Sequence, residues 1–155
     1  MDADPTDLVA GLRRGDAPAF DRAFDLWRRP IWSFLLRLSG RAEVAEELLQ
    51  ETFLRLAGHA RDLRPDTNLR AWLFTVARNL YRSHRRWAWL DGQRLAELAS
   101  HAVHGAPPTP LEAAAASEAG RTVERALASL APANREVALL VLVERMEPSE
   151  AAEVL

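Results

Sequence analysis

The 155-residue chain has no cysteine and no lysine, so all twenty of its basic residues are arginine. Without thiols there can be no disulfide, thiolate metal site or cysteine nucleophile, which fits a reducing compartment. No apolar run reaches the ~18 residues that a membrane span requires. The acidic, amphipathic opening MDADPTDLVAGLRRGD is also unlike a secretory leader. The expectation is a cytoplasmic chain with no membrane insertion. Nothing alternates with a period of two, no segment repeats and no heptad array is present, so the expected class is all-α. A glycine-rich phosphate loop and a nucleophile paired with a base are likewise missing, and the carboxylates fall on solvent faces. The chain is therefore expected to have no catalytic residues and no cofactor, and not to be an enzyme.

What is present is segregated charge. The net charge of −2 conceals eight arginines against Asp62 and Asp66 over residues 52–90, and five arginines against ten acids from residue 91 onward. The basic part centres on residues 68–90, NLRAWLFTVARNLYRSHRRWAWL. At 100° per residue, Leu69, Trp72, Leu73, Val76, Leu80 and Trp87 make an apolar stripe that should face a core. The other side carries Arg70, Phe74, Arg78, Tyr81, Arg82, Arg85, Arg86 and Trp89. Guanidinium groups neutralise phosphates and exposed rings stack on unpaired bases, so this mixture suits a single-strand nucleic-acid platform. For an isolated helix, a solvated charged face with its rings folded onto neighbours is the commoner outcome.

The flanking segments read as further helices. Asp4, Pro5 and Asp7 open the first, with Leu8, Val9 and Leu12 inward and Gly15 as its end. Asp16 should cap a second that runs to about Ser39 and stops at Gly40, with Pro30 expected to bend or break it near Arg29. A third covers residues 41–58. Its inner face is Val44, Ala45, Leu48, Leu49, Thr52, Phe53 and Leu56, and its outer face Glu43, Glu46, Glu47 and Gln50 surrounds Leu54. A leucine among acids suggests a docking surface for a basic partner, although stray exposed leucines are common. An ordered loop over 59–67 leads to a helix capped by Asn68, Asp66 or Thr67.

Residues 93–111, which include HAVHGAPPTP, form a linker by composition, giving domains at 1–92 and 112–155. His101 and His104 in that linker have no cysteine or suitably spaced acid beside them, so no metal site is expected. Beyond it an alanine-rich helix over 111–130 should bury Val123, Leu127 and Leu130. Pro132 ends that run, and a helix over 134–144 should bury Val137, Leu140, Val141 and Val143. Pro148 opens a last helix behind Glu147.

The runs EELLQETFLRL and RPDTNLRAWLFTVARNLYRSHRRW together resemble region 2 of bacterial RNA polymerase sigma factors, specifically the sigma-70-related extracytoplasmic-function (ECF) group. LASLAPANREVALLVLVERMEPSEAAEVL resembles the opening of region 4 in that group. The resemblance implies a region 2 helical domain followed by a truncated helix-turn-helix region 4 that lacks its recognition helix. It implies a factor that binds core RNA polymerase, recognises promoter DNA and opens it, with the polymerase supplying the chemistry. The polymerase-binding positions it implies are Glu46, Glu47, Gln50, Glu51 and Leu54.

The DNA-binding positions implied are His59, Arg61, Arg64 and Asn68 in and beside the loop, which in the family traps a base flipped from the non-template strand of the minus-10 element. On the basic helix they are Arg70, Phe74, Arg78, Asn79, Tyr81, Arg82, Arg85 and Arg86, with Phe74 and Tyr81 the stacking rings. An anti-sigma factor is a further partner common in the group. Two other readings remain: a helix-turn-helix regulator that acts without polymerase, and a truncated sigma that occupies polymerase unproductively.

Overall fold

The helices begin and end where local chemistry favours it. The computed structural model describes residues 5–90 and 117–155. The chain divides into two compact units, Met1–Val103 and His104–Leu155. The expected linker at 93–111, with His101 and His104, lies outside the described residues, as do residues 111–116 of the alanine-rich helix. All regular structure among the described residues is helical, and no helix there is long and apolar enough to cross a membrane.

The first unit contains α1 (Pro5–Arg14), α2 (Ala17–Ser39), α3 (Ala42–His59), a 3-10 turn (Ala60–Asp62) and α4 (Leu69–Leu90). Gly40 ends α2 in the left-handed region, φ 67°, and its N–H donates to the Leu36 carbonyl at 2.7 Å. That satisfies one of the last-turn carbonyls that every helix leaves open. Asn68 starts α4 by accepting the Ala71 N–H at 3.1 Å, as an N-cap side chain does. Asp16 stands at the N-cap of α2 but makes no capping bond. Its carboxylate instead meets Arg14 at 2.8 Å.

Of the bend or break expected at Pro30, the break does not occur: the helix is continuous from Ala17 to Ser39. A proline inside a helix costs about 3 kcal/mol. Ala23 before it and Ile31, Phe34, Leu35 and Leu38 after it are all buried, and burial of several large side chains, at roughly 1.5–3 kcal/mol each, outweighs that cost. The helix α2 packs on α3, α4 packs on both, and α1 lies against α2 and the 3-10 turn. α1 and α2 approach closely at Gly11, where a Cβ would stand 2.7 Å from the Cβ of Ala19. Phe24 and Phe53 meet edge to face at 4.8 Å between ring centres, and Phe34 and Phe74 do so at 5.3 Å. Such edge-to-face pairs add to the energy of area burial alone.

The second unit contains α5 (Glu118–Ser129), α6 (Pro132–Ala138) running into a π-helical turn (Leu139–Val143), and α7 (Pro148–Val154). Ser117 caps α5 by accepting the Gly120 N–H at 3.1 Å. At the other end Arg135 donates to the Leu127 carbonyl at 3.0 Å and also bonds the Ala128 carbonyl, placing a cation on the negative end of the helix. The π turn widens the helix, and with it the inward face moves. Leu139 and Leu140 are buried with Leu127, Met146, Ala151 and Val154, whereas Val141 and Val143 of the turn, both expected inside, are half-buried; Val123 on α5 and Val137 on α6, both before the turn, are 50% and 42% exposed. A period of 3.6 cannot anticipate a turn that holds an extra residue. Arg145 then takes a positive φ of 53° and the Met146 N–H returns to the Leu140 carbonyl at 3.0 Å. Pro148 opens α7 as expected, with Glu147 at the cap position but without a side-chain bond.

Candidate nucleic-acid interface

The sequence of α3 sorts itself into two faces. Val44, Ala45, Leu48, Leu49, Thr52, Phe53 and Leu56 are buried against the unit, and the Thr52 hydroxyl donates to the Leu48 carbonyl at 2.7 Å. Glu43, Glu46, Glu47 and Gln50 are exposed. Leu54 is 66% exposed on the same side. Glu51 is half-buried and pairs with Arg55 at 3.0 Å. All five expected polymerase-binding positions are thus accessible, and they form an acidic surface with one apolar projection.

The loop between α3 and α4 is ordered by its own contacts. The His59 ring lies 3.0 Å from the Arg55 carbonyl. Ala60 and Leu63 are buried, which anchors the 3-10 turn and leaves Arg61 and Arg64 outward. Arg64 forms a two-point pair with Asp66, both bonds at 3.0 Å. Such forked geometry fixes a guanidinium in place and neutralises much of its charge. Asn68 is exposed, and its side-chain oxygen serves the helix cap.

On α4 the structure corrects the expected orientation. The buried residues are Leu69, Ala71, Leu73, Phe74, Ala77, Arg78 and Tyr81, so the inward stripe is turned by about 100°, one residue's rotation, from the one expected. Phe74 is fully buried against Phe34. The Tyr81 hydroxyl donates to the Leu38 carbonyl at 2.8 Å. Neither ring offers a face to a base, and both are removed from the stacking candidates. Arg78, 8% exposed, is likewise too deep to meet a phosphate, and Arg70 is half-buried. The stripe expected inside is only partly so: Trp72, Val76 and Leu80 are half-buried, and Trp87 is 67% exposed.

What the turned helix does bring together is Asn79, Arg82, Ser83, Arg85, Arg86 and Trp89, around an open hollow of about 640 Å³. Among the described residues no acid pairs with Arg82, Arg85 or Arg86. Trp89 is 81% exposed. It is not one of the two rings, Phe74 and Tyr81, that the resemblance implies for stacking. The signal lay in the alternative spacing of Phe74, Ala77, Arg78 and Tyr81 at i, i+3, i+4 and i+7, which also forms a helical stripe. No group of acids and histidines able to hold a metal is found among the described residues.

These features coincide with known relationships. Residues 23–90 match the family model for Sigma-70 region 2. An ECF RNA polymerase sigma factor, EcfG of Rhodopseudomonas palustris, is 48% identical over 54 residues, 35% of this chain and 30% of that protein. The ECF sigma factor SigL of Mycobacterium tuberculosis is 38% identical over 81 residues, 52% of this chain and 46% of its own length. The chain spans less than half the length of these two curated relatives. Among solved structures, CnrH, determined in complex with the cytosolic domain of CnrY, shares the fold with a TM-score of 0.68 and 23% identity, over 96% of this chain and 80% of that one. Residues 23–90 accordingly match sigma-70 region 2, and over that part the chain is similar to ECF RNA polymerase sigma factors.

Proposed function

We propose that this chain is a dissociable, non-catalytic subunit that binds core RNA polymerase, directs it to a promoter and helps open the DNA at the start site. One observation carries the reading: an acidic surface centred on Leu54 and a cationic hollow at the end of α4 lie on adjacent helices that share one core. Glu46, Glu47, Gln50, Glu51 and Leu54 bind the polymerase. An exposed apolar side chain ringed by acids fits a basic, partly apolar site, with opposite charge guiding the encounter.

The DNA surface consists of the loop residues His59, Arg61 and Arg64, Asn68, and Asn79, Arg82, Arg85 and Arg86. It takes the non-template strand of the minus-10 element after the duplex opens. Unpaired bases cost a few kcal/mol of lost stacking, and cations on phosphates with a ring on a base offset that cost. The polymerase performs the chemistry. The helices of the second unit supply the opening of a region 4 helix-turn-helix, with residues 93–111 joining it to the first. CnrH was solved with the cytosolic domain of CnrY, and for this chain an anti-sigma partner that holds it away from polymerase is proposed as a regulator.

The test is to add the chain to core polymerase on a template that carries only a minus-10 element. Transcripts that depend on the chain support the reading. Polymerase occupancy without transcripts points to an unproductive sigma, and tight duplex binding without polymerase to an independent regulator. Glu47→Arg together with Gln50→Arg should abolish association with polymerase while leaving the fold intact, since both side chains are exposed.

A further inference from the structure

The helix α1 precedes residues 23–90 in the chain, yet it packs both on α2 and on the 3-10 turn that opens the loop before α4. Two glycines make that double contact close. At Gly11 a Cβ would stand 2.7 Å from the Cβ of Ala19, nearer than the roughly 3.5–4.0 Å at which two carbon atoms rest against each other. Only glycine lets α1 sit this low on α2. At Gly15 the chain leaves α1 with φ 81°. The Gly15 N–H donates to the Leu12 carbonyl and the Asp16 N–H to the Gly11 carbonyl, both at 3.0 Å. These are the paired bonds of a left-handed helix end. Beyond that end lies the loop. Nη2 of Arg61 is 3.8 Å from where a Cβ on Gly15 would be, at the terminus where α1 carries partial negative charge.

Val9 and Leu12 on α1 are each 2% exposed, and Ala60 and Leu63 of the loop are buried as well. Within the loop, the Leu63 and Thr67 N–H groups donate to the Ala60 and Arg64 carbonyls at 3.4 and 3.1 Å. Turns this short have poor hydrogen-bond geometry, so what they pack on sets their position. We propose that α1 is the brace that aims the loop over residues 59–67: Gly11 sets the height of α1 on α2, and the Gly15 turn holds Arg61 and the 3-10 turn where the loop meets the unpaired strand. Gly11 and Gly15 are positioning residues that touch no nucleotide. The inference rests on the promoter-binding reading and adds to it the element that orients the loop. Protein interiors compress little and pass displacement on. A methyl at Gly11 must therefore lift α1 by about 1 Å and carry the turn with it. The acidic outer face of α3 keeps its place.

The experiment uses the full chain with core polymerase and fork-junction DNA that carries an unpaired non-template strand. Gly11→Ala should leave association with polymerase at the wild-type level. It should weaken retention of the fork by about 2- to 30-fold, the range for substitutions that act on a site without touching its ligand. In the free chain the Leu63 and Thr67 amides should exchange faster with solvent. Gly11→Ala combined with Ala19→Gly moves the methyl to the other helix and should restore both readouts. Tyr81→Phe, which loosens the same unit at the other end of α2, should leave retention unchanged where it is folded. If Gly11→Ala does not fold, the exposed Gly15 carries the test. Gly15→Ala strains the left-handed turn and should weaken retention by about twofold or more, whereas Gly15→Asn, which tolerates that backbone, should match the wild type.

The proposal is overturned if Gly11→Ala, or Gly15→Ala in its place, retains the fork as the wild type does. It is also overturned if Ala19→Gly does not restore the loss, or if polymerase association falls in step with retention, since α1 then serves the fold alone. A wild-type chain that does not join polymerase, or joins it without retaining the fork, removes the promoter-binding reading and this inference with it. A wild-type chain that does both, with an inert Gly11→Ala, removes only this inference.

Discussion

Replacing Tyr81 with phenylalanine isolates one atom whose role the fold redefined. The hydroxyl donates to the Leu38 carbonyl at 2.8 Å across 43 residues of sequence, and the side chain is 9% exposed. Leu38 lies in the last turn of α2, where carbonyls have no partner within the helix. Tyr81→Phe removes a hydrogen bond worth about 1 kcal/mol net and strands a largely buried carbonyl, so the total loss should be about 1–2 kcal/mol. In a unit of this size each kcal/mol moves the melting midpoint by about 4–8 °C. All five tryptophans, Trp27, Trp32, Trp72, Trp87 and Trp89, lie in the first unit. Tryptophan emission during urea unfolding therefore follows that unit alone, free of the second. The midpoint should fall while the slope is preserved, and retention of fork DNA by the polymerase complex should not change under conditions where the variant is folded. An unchanged midpoint would refute the buried-bond argument and return Tyr81 to the exposed rings.

Asn68→Ala should cost about 1 kcal/mol in the same assay because the Ala71 N–H loses its cap, and Asn68→Asp should recover most of it. Leu54→Ala should leave stability within about 0.5 kcal/mol of wild type, since the side chain is largely in solvent. In a pull-down with core polymerase it should weaken association more than about fivefold, as truncation of an interface anchor does. Arg85→Ala should reduce the magnitude of the salt slope for strand retention by about 0.7 with no change in the unfolding midpoint. A stability loss there would mean that the guanidinium serves the fold instead.

Much of the local architecture follows from single residues. Gly40, Asn68 and Pro148 each mark a helix boundary through a requirement that holds in any context: a left-handed φ, a side-chain acceptor for an open N–H, a fixed φ at a first turn. The outer face of α3 was legible for a related reason. Its apolar and acidic residues separate cleanly at 3.6-residue spacing, so only one rotation of the helix buries the first and frees the second.

The continuity of α2 through Pro30 and the π turn were not legible, because each depends on packing that compensates for a local cost. Nor was the rotation of α4. Leu69, Trp72, Val76 and Leu80 make one plausible stripe, and Leu73, Phe74, Ala77 and Tyr81 make another. By itself the sequence determined that residues 69–90 are a basic helix that carries rings on more than one side. Only the tertiary structure decided which rings are free, because Phe34 and the Leu38 carbonyl, both on α2, take up Phe74 and Tyr81. A helix whose two sides are both able to bury rings turns to the side where neighbours complete the packing and accept the hydroxyl.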